Sequence, residues 1–525
     1  MGDALREAVR LVPDRVALVE GVPEHSARRR WSYRQLLEDA ERVAGALLTR
    51  FAPGDRIAIF AGNCPEWILV EYGAALAGMI LVPINPAYEV QELATILQGA
   101  EVACLFYADT YRNRPLLPVI EAARVIVTEP PEIISFDSWS SFIANEPGAV
   151  PLPDVGADQT VLIQFTSGTT GKPKGALLHH LGIMNSARFV AERAEFPSGG
   201  VWINAMPLFH IAGSVVTLLG TLSAHGTYVL APAFEAGLML ELFESERGNA
   251  SLIVPTMIIA MLEHKDLHQR DLSCVTTILT GAAPVPAALV TRTKAAFGCG
   301  LTILFGQTEI NGVACQTRLT DATADQAETL GQPLPQTELC IADPQTGEIV
   351  PIGHSGEICI RGYQTMRGYY GLEEATRDTI RPDGWLRTGD LAAMDERGYL
   401  RITGRLKDLI IRGGMNIYPR EIEETLFDHP GVTQVSVVGI EDERWGEIIA
   451  AVILPSCVPP PHPNELFEHC RNRLASNKAP TAWFFVGSFP LTPSGKIQKF
   501  ALIEEIKAGR LTPVPWEKKS SRVTS

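Results

Sequence analysis

Apolar positions early in the chain follow a helical period. Between residues 32 and 48, Leu36, Leu37, Ala40, Val43, Ala44, Leu47 and Leu48 recur at three- and four-residue spacing, which predicts an amphipathic helix. Ser32 and Gln35 open it as an S-x-x-Q capping box. A short apolar run at 57–60 predicts a strand, and the stretch after Pro65 another helix. This alternation continues for about 300 residues and predicts a mostly parallel sheet flanked by helices.

From residue 160, five apolar runs end abruptly in polar or small residues. They are VLIQF before TSGTTG, VWINAM before PLFH, SLIVP before TM, TTILT before GAAP and LTILF before GQTE. Ligands of parallel sheets bind beyond the carboxyl ends of the strands. One site could therefore use all five loops together.

The texture changes near residue 338. Strand-like segments at 338–341 and 357–361, with the turn QTGE between them, predict a small β lobe at about 335–404. It changes again after GRLKD at 404–408. A helix at PREIEETLF, strands at 434–440 and 448–454, and a helix at about 465–475 predict a small α+β domain. Val458 to Pro463 (VPPPHP) reads as a stiff loop, and PVPWEKKSSRVTS at the end as disordered. The expected fold class is α/β: a large N-terminal domain at 1–404, and a small C-terminal domain at 409–525.

Composition narrows the partners. At 525 residues, with roughly 150 per domain, three or four domain-sized units are expected. A hydrophobic share of 46% excludes a disordered or collagenous chain. The net charge is −15 and no run is dense in Lys or Arg, so nucleic acid is excluded as a partner. Nine scattered Cys without a CxxC pair fit reduced thiols in a cytoplasmic protein, not a disulfide framework or zinc site. The start lacks a secretory apolar region, and Arg6 stands where myristoylation requires Ser or Thr. The longest apolar runs, at 72–84 and 211–224, are too short for a membrane span.

TSGTTGKPKG at 166–175 carries the most chemistry. Its backbone amides, hydroxyls and two lysines can wrap a polyphosphate. A Walker P-loop needs G-x-x-x-x-G-K-[ST]. Here Thr166 replaces the first Gly, and Pro173 the magnesium-binding hydroxyl, which disfavours a P-loop kinase or ATPase.

TSGTTGKPKG resembles the signature loop of the adenylate-forming superfamily: acyl-CoA synthetases, peptide-synthetase adenylation domains and firefly-type luciferases. Nearly the whole chain takes part, because PLFH, GAAP, FGQTE, GWLRTGDLA, GRLKDLIIRGGMNIYPREIE and PLTPSGKIQK follow in the family's order. GQTE, IRGYQTMRGYY and SGKIQKF are most similar to medium-chain fatty acyl-CoA synthetases.

The resemblance implies an ATP- and Mg2+-dependent ligase that makes an acyl-AMP and transfers the acyl group to coenzyme A. Thr166, Ser167, Gly168, Thr169, Thr170, Gly171, Lys172 and Lys174 would hold the β- and γ-phosphates. Glu309 would be the magnesium ligand, and Thr308, beside Gly306 and Gln307, would bond the α-phosphate. Phe305, where most relatives have Tyr, would lie on the adenine face, backed by Gly281, Ala282, Ala283 and Pro284. Asp390 would accept hydrogen bonds from the ribose hydroxyls, with Arg405 adding a ribose or phosphate contact. His210 would sit beside the acyl carboxylate, in a pocket along Phe209, Gly213, Thr256, Met257 and Gly281.

Lys496 matches the lysine that bridges carboxylate and phosphate during adenylation. The C-terminal domain is therefore expected to be mobile, with 405–408 as hinge and Lys407 at its pivot. After adenylation, Gly413 and Gly414 would line a tunnel for pantetheine. The acceptor is CoA or a carrier-protein phosphopantetheine, and oligomeric state is left open, a homodimer included. Two alternatives stay in view: an acyl-AMP ligase loading a carrier protein, and an adenylate-binding homologue catalysing one half-reaction. A luciferase-type oxygenase is possible on this fold, but nothing in the sequence demands it.

Overall fold

The computed structural model describes residues 1–144, 150–166, 173–283, 285–413, 415–491 and 497–516. The chain forms two compact units. The first comprises Met1–Cys340, Cys359–Thr388 and Glu396–Leu400; the second comprises Ile341–Ile358, Gly389–Asp395 and Arg401–Ser525.

The capped helix forms as its residues dictate. Tyr33–Leu48 is helical, with Gln35 N–H donating to Ser32 Oγ at 3.3 Å and Ser32 N–H to Gln35 Oε1 at 2.9 Å. Its buried face, Leu36, Ala40, Val43, Ala44 and Leu47, packs on the helix Pro65–Leu76. Burying each large apolar side chain stabilises the unit by about 1.5–3 kcal/mol. Pro65–Leu76 is itself buried on every side, from Trp67 to Leu76.

Two mostly parallel sheets form the first unit. The larger runs Gln332–Pro333, Gly312–Gln316, Gly300–Gln307, Thr277–Gly281, Ala250–Leu252, Val201–Asn204, Thr227–Leu230, Val16–Glu20 and Arg30–Ser32. Its strands are parallel from 300–307 to 16–20 and antiparallel at both edges. The smaller runs Lys174–His179, Thr160–Thr166, Ile80–Ile84, Arg56–Phe60, Val102–Tyr107 and Glu132–Ser135, and is parallel except for its first pair. The five predicted strands all form, but on two sheets. Four belong to the larger sheet, whereas Thr160–Thr166, which precedes TSGTTG, belongs to the smaller. A buried apolar run carries no mark of which sheet it joins.

Strands Thr160–Thr166 and Lys174–His179 form an antiparallel hairpin with Thr166 opposite Lys174. The Gly/Thr loop thus leads into a strand, whereas a Walker loop opens a helix.

A four-stranded sheet is ordered Thr337–Ala342, Gly356–Gly362, Leu386–Met394 and Leu400–Arg405. The short helix Glu373–Thr379 lies within this stretch, and none of its residues is buried, so no apolar period announced it. In the second unit, Met415–Ile417, Ile410–Arg412, Gly446–Pro455 and Val432–Asp442 form a sheet, with Ala482–Phe485 paired to Gly446–Pro455. Helices Pro419–Phe427, Pro463–Arg471 and Lys499–Lys507 complete it.

The start of the C-terminal tail is ordered, against expectation. Val514 N–H bonds Trp483 O at 2.8 Å, and Trp516 Nε1 donates to Thr481 O at 3.1 Å. The Trp516 ring lies 5.1 Å from that of Phe467 and 6.3 Å from that of Trp483. One large aromatic supplies enough apolar area to dock an otherwise polar segment. Residues 517–525 lie outside the described residues. Among the described residues, no helix is long and apolar enough to cross a membrane.

Candidate nucleotide-binding site

Neighbouring parallel strands bring two of the predicted loops side by side. Gly281 ends its strand opposite Leu304, so Ala282 and Ala283 emerge next to Phe305, Gly306, Gln307 and Thr308. Ala282 holds a left-handed backbone at φ +65°, uncommon for a residue with a Cβ. Phe305 is buried and Gly306 exposed, and Gln307 Nε2 donates to Thr388 O at 3.0 Å.

Glu309 follows in the one-turn 3-10 helix Thr308–Ile310. Its Oε1 accepts a 2.9 Å hydrogen bond from the Tyr369 hydroxyl, and its carbonyl accepts from Met366 N–H at 3.0 Å. Burial first, and the Glu309 carboxylate second, push the Tyr369 hydroxyl far above its ordinary value, so it stays a donor. The Lys174 ammonium lies 5.0 Å from the centre of the Tyr369 ring. Segment 366–370 holds this arrangement by pairing with the hairpin of Thr160–Thr166 and Lys174–His179: Leu177 N–H bonds Gly368 O at 2.9 Å, and Tyr370 N–H bonds Gly175 O at 2.8 Å. Thr166, Lys174, Tyr369 and Glu309 are thereby drawn together across two sheets.

A second bridge joins the sheets near PLFH. Gln164 Nε2 donates to Phe209 O at 3.1 Å. His210 Nδ1 accepts from Ala212 N–H at 3.2 Å, which leaves Nε2 as the N–H of the neutral ring. A π-helix, Ala212–Thr217, follows; such turns recur at functional sites. Gly213 is buried, and a Cβ there would collide with the carbonyl of Pro207. Its small size serves this close backbone approach. Thr256 is exposed and Met257 half-buried, in the first turn of Pro255–Leu262.

In the second unit Asp390 is only 2% exposed, and Arg405 Nε donates to its Oδ1 at 2.7 Å. Gly389 N–H donates to the buried Glu357 carboxylate at 2.9 Å, which fixes the turn before Asp390. Lys407 is exposed in the turn Leu406–Asp408. Beside it, Lys499 lies 3.7 Å from Asp408 and 2.7 Å from Glu423. Gly413 turns the hairpin 410–417 at φ +58°, and its N–H bonds Trp445 O at 2.7 Å. A Cβ on Gly413 would come to 3.0 Å of the Trp445 ring, so both backbone angle and space favour glycine.

Ser167, Gly168, Thr169, Thr170, Gly171, Lys172, Pro284, Gly414 and Lys496 lie outside the described residues. Tyr369 is the site residue that sequence reasoning missed. MRGYY counted there only as a family likeness, and no local pattern links Tyr369 to a carboxylate 60 residues earlier.

Comparison with known proteins agrees along the chain. Residues 5–370 match the family model of AMP-binding enzymes, and 421–496 that of the AMP-binding enzyme C-terminal domain. YngI of Bacillus subtilis is 36% identical, covering 96% of both chains. The mitochondrial medium-chain acyl-CoA ligase ACSF2 of Homo sapiens is 33% identical over 97% of this chain and 87% of its own. Among solved structures, ATP-bound MatB from Rhodopseudomonas palustris superposes with a TM-score of 0.87 at 29% identity, covering 96% of this chain and 99% of that one. The chain belongs to the AMP-binding enzyme family, within the adenylate-forming superfamily of acyl-CoA synthetases, and is an AMP-forming ligase.

Proposed function

We propose that the protein is an ATP-dependent acyl-CoA ligase that activates a fatty or related carboxylic acid as acyl-AMP and then transfers the acyl group to CoA. The observation that carries this reading is the array of Lys174, Tyr369 and Glu309 beside that hairpin. It sets a cation and a hard carboxylate beside the strand ends that flank TSGTTG, a sequence whose amides, hydroxyls and lysines suit phosphate. The fatty-acid class rests on ACSF2, which is named a medium-chain acyl-CoA ligase.

A carboxylate is a poor electrophile, and its oxygen attacks the α-phosphorus of ATP as pyrophosphate leaves. Negative charge builds up on the phosphates, and donors already oriented toward it lower the barrier. Residues 166–174 grip the β- and γ-phosphates. Glu309 fits a magnesium ion, because its carboxylate is a hard oxygen donor already aimed by the Tyr369 hydroxyl. That ion supplies charge neutralisation on the phosphate oxygens. Asp390, held ready by Arg405, accepts from the ribose hydroxyls. Lys496 bridges carboxylate and phosphate, then withdraws as the C-terminal domain turns about Lys407. The thiol of CoA, entering past Gly413 and Gly414, attacks the acyl carbon and AMP leaves.

The test separates the two half-reactions. Lys496→Ala is expected to abolish acid-dependent exchange of pyrophosphate into ATP, while thioester formation from supplied acyl-AMP persists. Equal loss of both would remove the assigned role. Running the wild type with a panel of carboxylic acids, and with CoA against a phosphopantetheinylated carrier protein, reads the substrate and the acceptor. Exchange without any thioester product would overturn the ligase reading.

A further inference from the structure

Two cysteines face each other in the four-stranded sheet. Strands Thr337–Ala342 and Gly356–Gly362 are neighbours. They run antiparallel: Gly356 lies against the carbonyl of Ala342, and Gly362 against that of Gln336. The Arg361 guanidinium pairs with the Glu338 carboxylate across them, on one face. Side chains on a strand return to the same face every second residue. Two steps along each strand from that ion pair, Cys340 stands directly opposite Cys359. The Cys359 side chain lies within hydrogen-bonding reach of Cys340, and neither sulfur is in a disulfide. Cys359 is buried at 2% exposure, whereas Cys340 is half-exposed.

Directly opposite residues of antiparallel strands hold their Cβ atoms about 4.5–5.5 Å apart. A disulfide needs about 3.5–4.5 Å, so closing the bond asks for only a small approach of two strands already in register. The surroundings suit attack by sulfur. The hydrogen bond from Cys359, and after it Arg381 and Arg361, hold Cys340 below the ordinary thiol value, against burial and Asp383, which act the other way. The other thiols with a resolved shift, Cys64, Cys104, Cys299, Cys315 and Cys470, are pushed upward, chiefly by burial.

We propose that Cys340 and Cys359 form a reversible redox pair, with half-exposed Cys340 as the attacking sulfur and buried Cys359 as the resolving one. With a low-molecular-weight disulfide such as glutathione disulfide as oxidant, the Cys340 thiolate attacks one sulfur and releases one glutathione thiolate. Cys359 then gives up its proton and attacks the Cys340 sulfur of the mixed disulfide, and the second glutathione leaves. Two protein thiols are oxidised and one glutathione disulfide is reduced to two thiols.

The test uses the full chain. Trypsin leaves both cysteines in one peptide, since no Lys or Arg lies between Arg318 and Arg361. After exposure to glutathione disulfide and alkylation, that peptide is expected to lose the mass of two hydrogens and to carry no alkyl group. Dithiothreitol should restore two alkylation sites. Cys359→Ser should trap glutathione on Cys340, and Cys340→Ser should leave Cys359 unmodified. A wild-type peptide that stays fully alkylated, or that carries glutathione without ever closing the internal bond, would overturn the proposal. So would modification confined to the exposed Cys457.

Discussion

Asp390 and Glu71 are both carboxyl groups shut away from water, at 2% and 1% exposure, and their surroundings treat them in opposite ways. Asp390 stands behind a glycine turn and meets the Arg405 guanidinium at 2.7 Å. Glu71 stands in the middle of Pro65–Leu76, and neither of its oxygens has a hydrogen-bond partner. Burial alone pushes its acid far above the usual carboxylate range, so it is held neutral. A buried charge is tolerable only when paired; otherwise the proton stays on. The paired group can present its charge to a ligand, whereas the unpaired one contributes only a cost that depends on pH.

The sharpest way to break this contrast is to remove the paired acid. If Asp390 accepts from both ribose hydroxyls as proposed, Asp390→Ala takes away two charge-assisted hydrogen bonds, each worth about 1.5–3 kcal/mol. The expected result is a rise of roughly 10²–10⁴-fold in KM for ATP in pyrophosphate exchange. An unchanged KM would separate Asp390 from nucleotide binding and leave its pair with Arg405 as structural.

A smaller effect is expected where a neutral donor supports the acid. Tyr369→Phe keeps the ring beside Lys174 and deletes only the hydroxyl that aims Glu309. A hydrogen bond to a charged group is worth about 1.5–3 kcal/mol, so adenylation should slow roughly 10–100-fold. The defect should lessen as magnesium is raised, because the displaced carboxylate can still be filled by mass action. A defect insensitive to magnesium would show that Tyr369 acts on something other than Glu309.

These residues also mark how far the sequence can be read. Ser32 and Gln35 were legible because a cap is settled within four residues. The strand before TSGTTG was legible because a buried strand is apolar throughout. Its sheet was not, since pairing of Thr160–Thr166 with Ile80–Ile84 is fixed by packing far along the chain. The approach of Tyr369 to Glu309 depends on segment 366–370 pairing with Lys174–His179, which no window of sequence contains. Trp516 was hidden in the same way: its partners Phe467 and Trp483 lie in other elements.

The unpaired acid gives the cleanest test of the contrast. Glu71→Gln keeps the shape and polarity of the protonated acid and removes only its ability to ionise. In the unfolded chain Glu71 titrates near its ordinary value of 4.5, while in the fold it keeps its proton to far higher pH. Between those two points the folded state binds more protons than the unfolded one, so stability falls as pH rises, by about 1.4 kcal/mol per unit from this group. Below pH 4.5 the wild type and Glu71→Gln should therefore melt together. Above it the variant should pull ahead, with a gap in Tm that widens steadily through neutral pH. Every other titrating group contributes equally to both proteins and cancels in the difference. Melting curves that stay parallel from acid to neutral pH would mean that Glu71 is charged in the fold, and that a buried carboxylate here needs no partner.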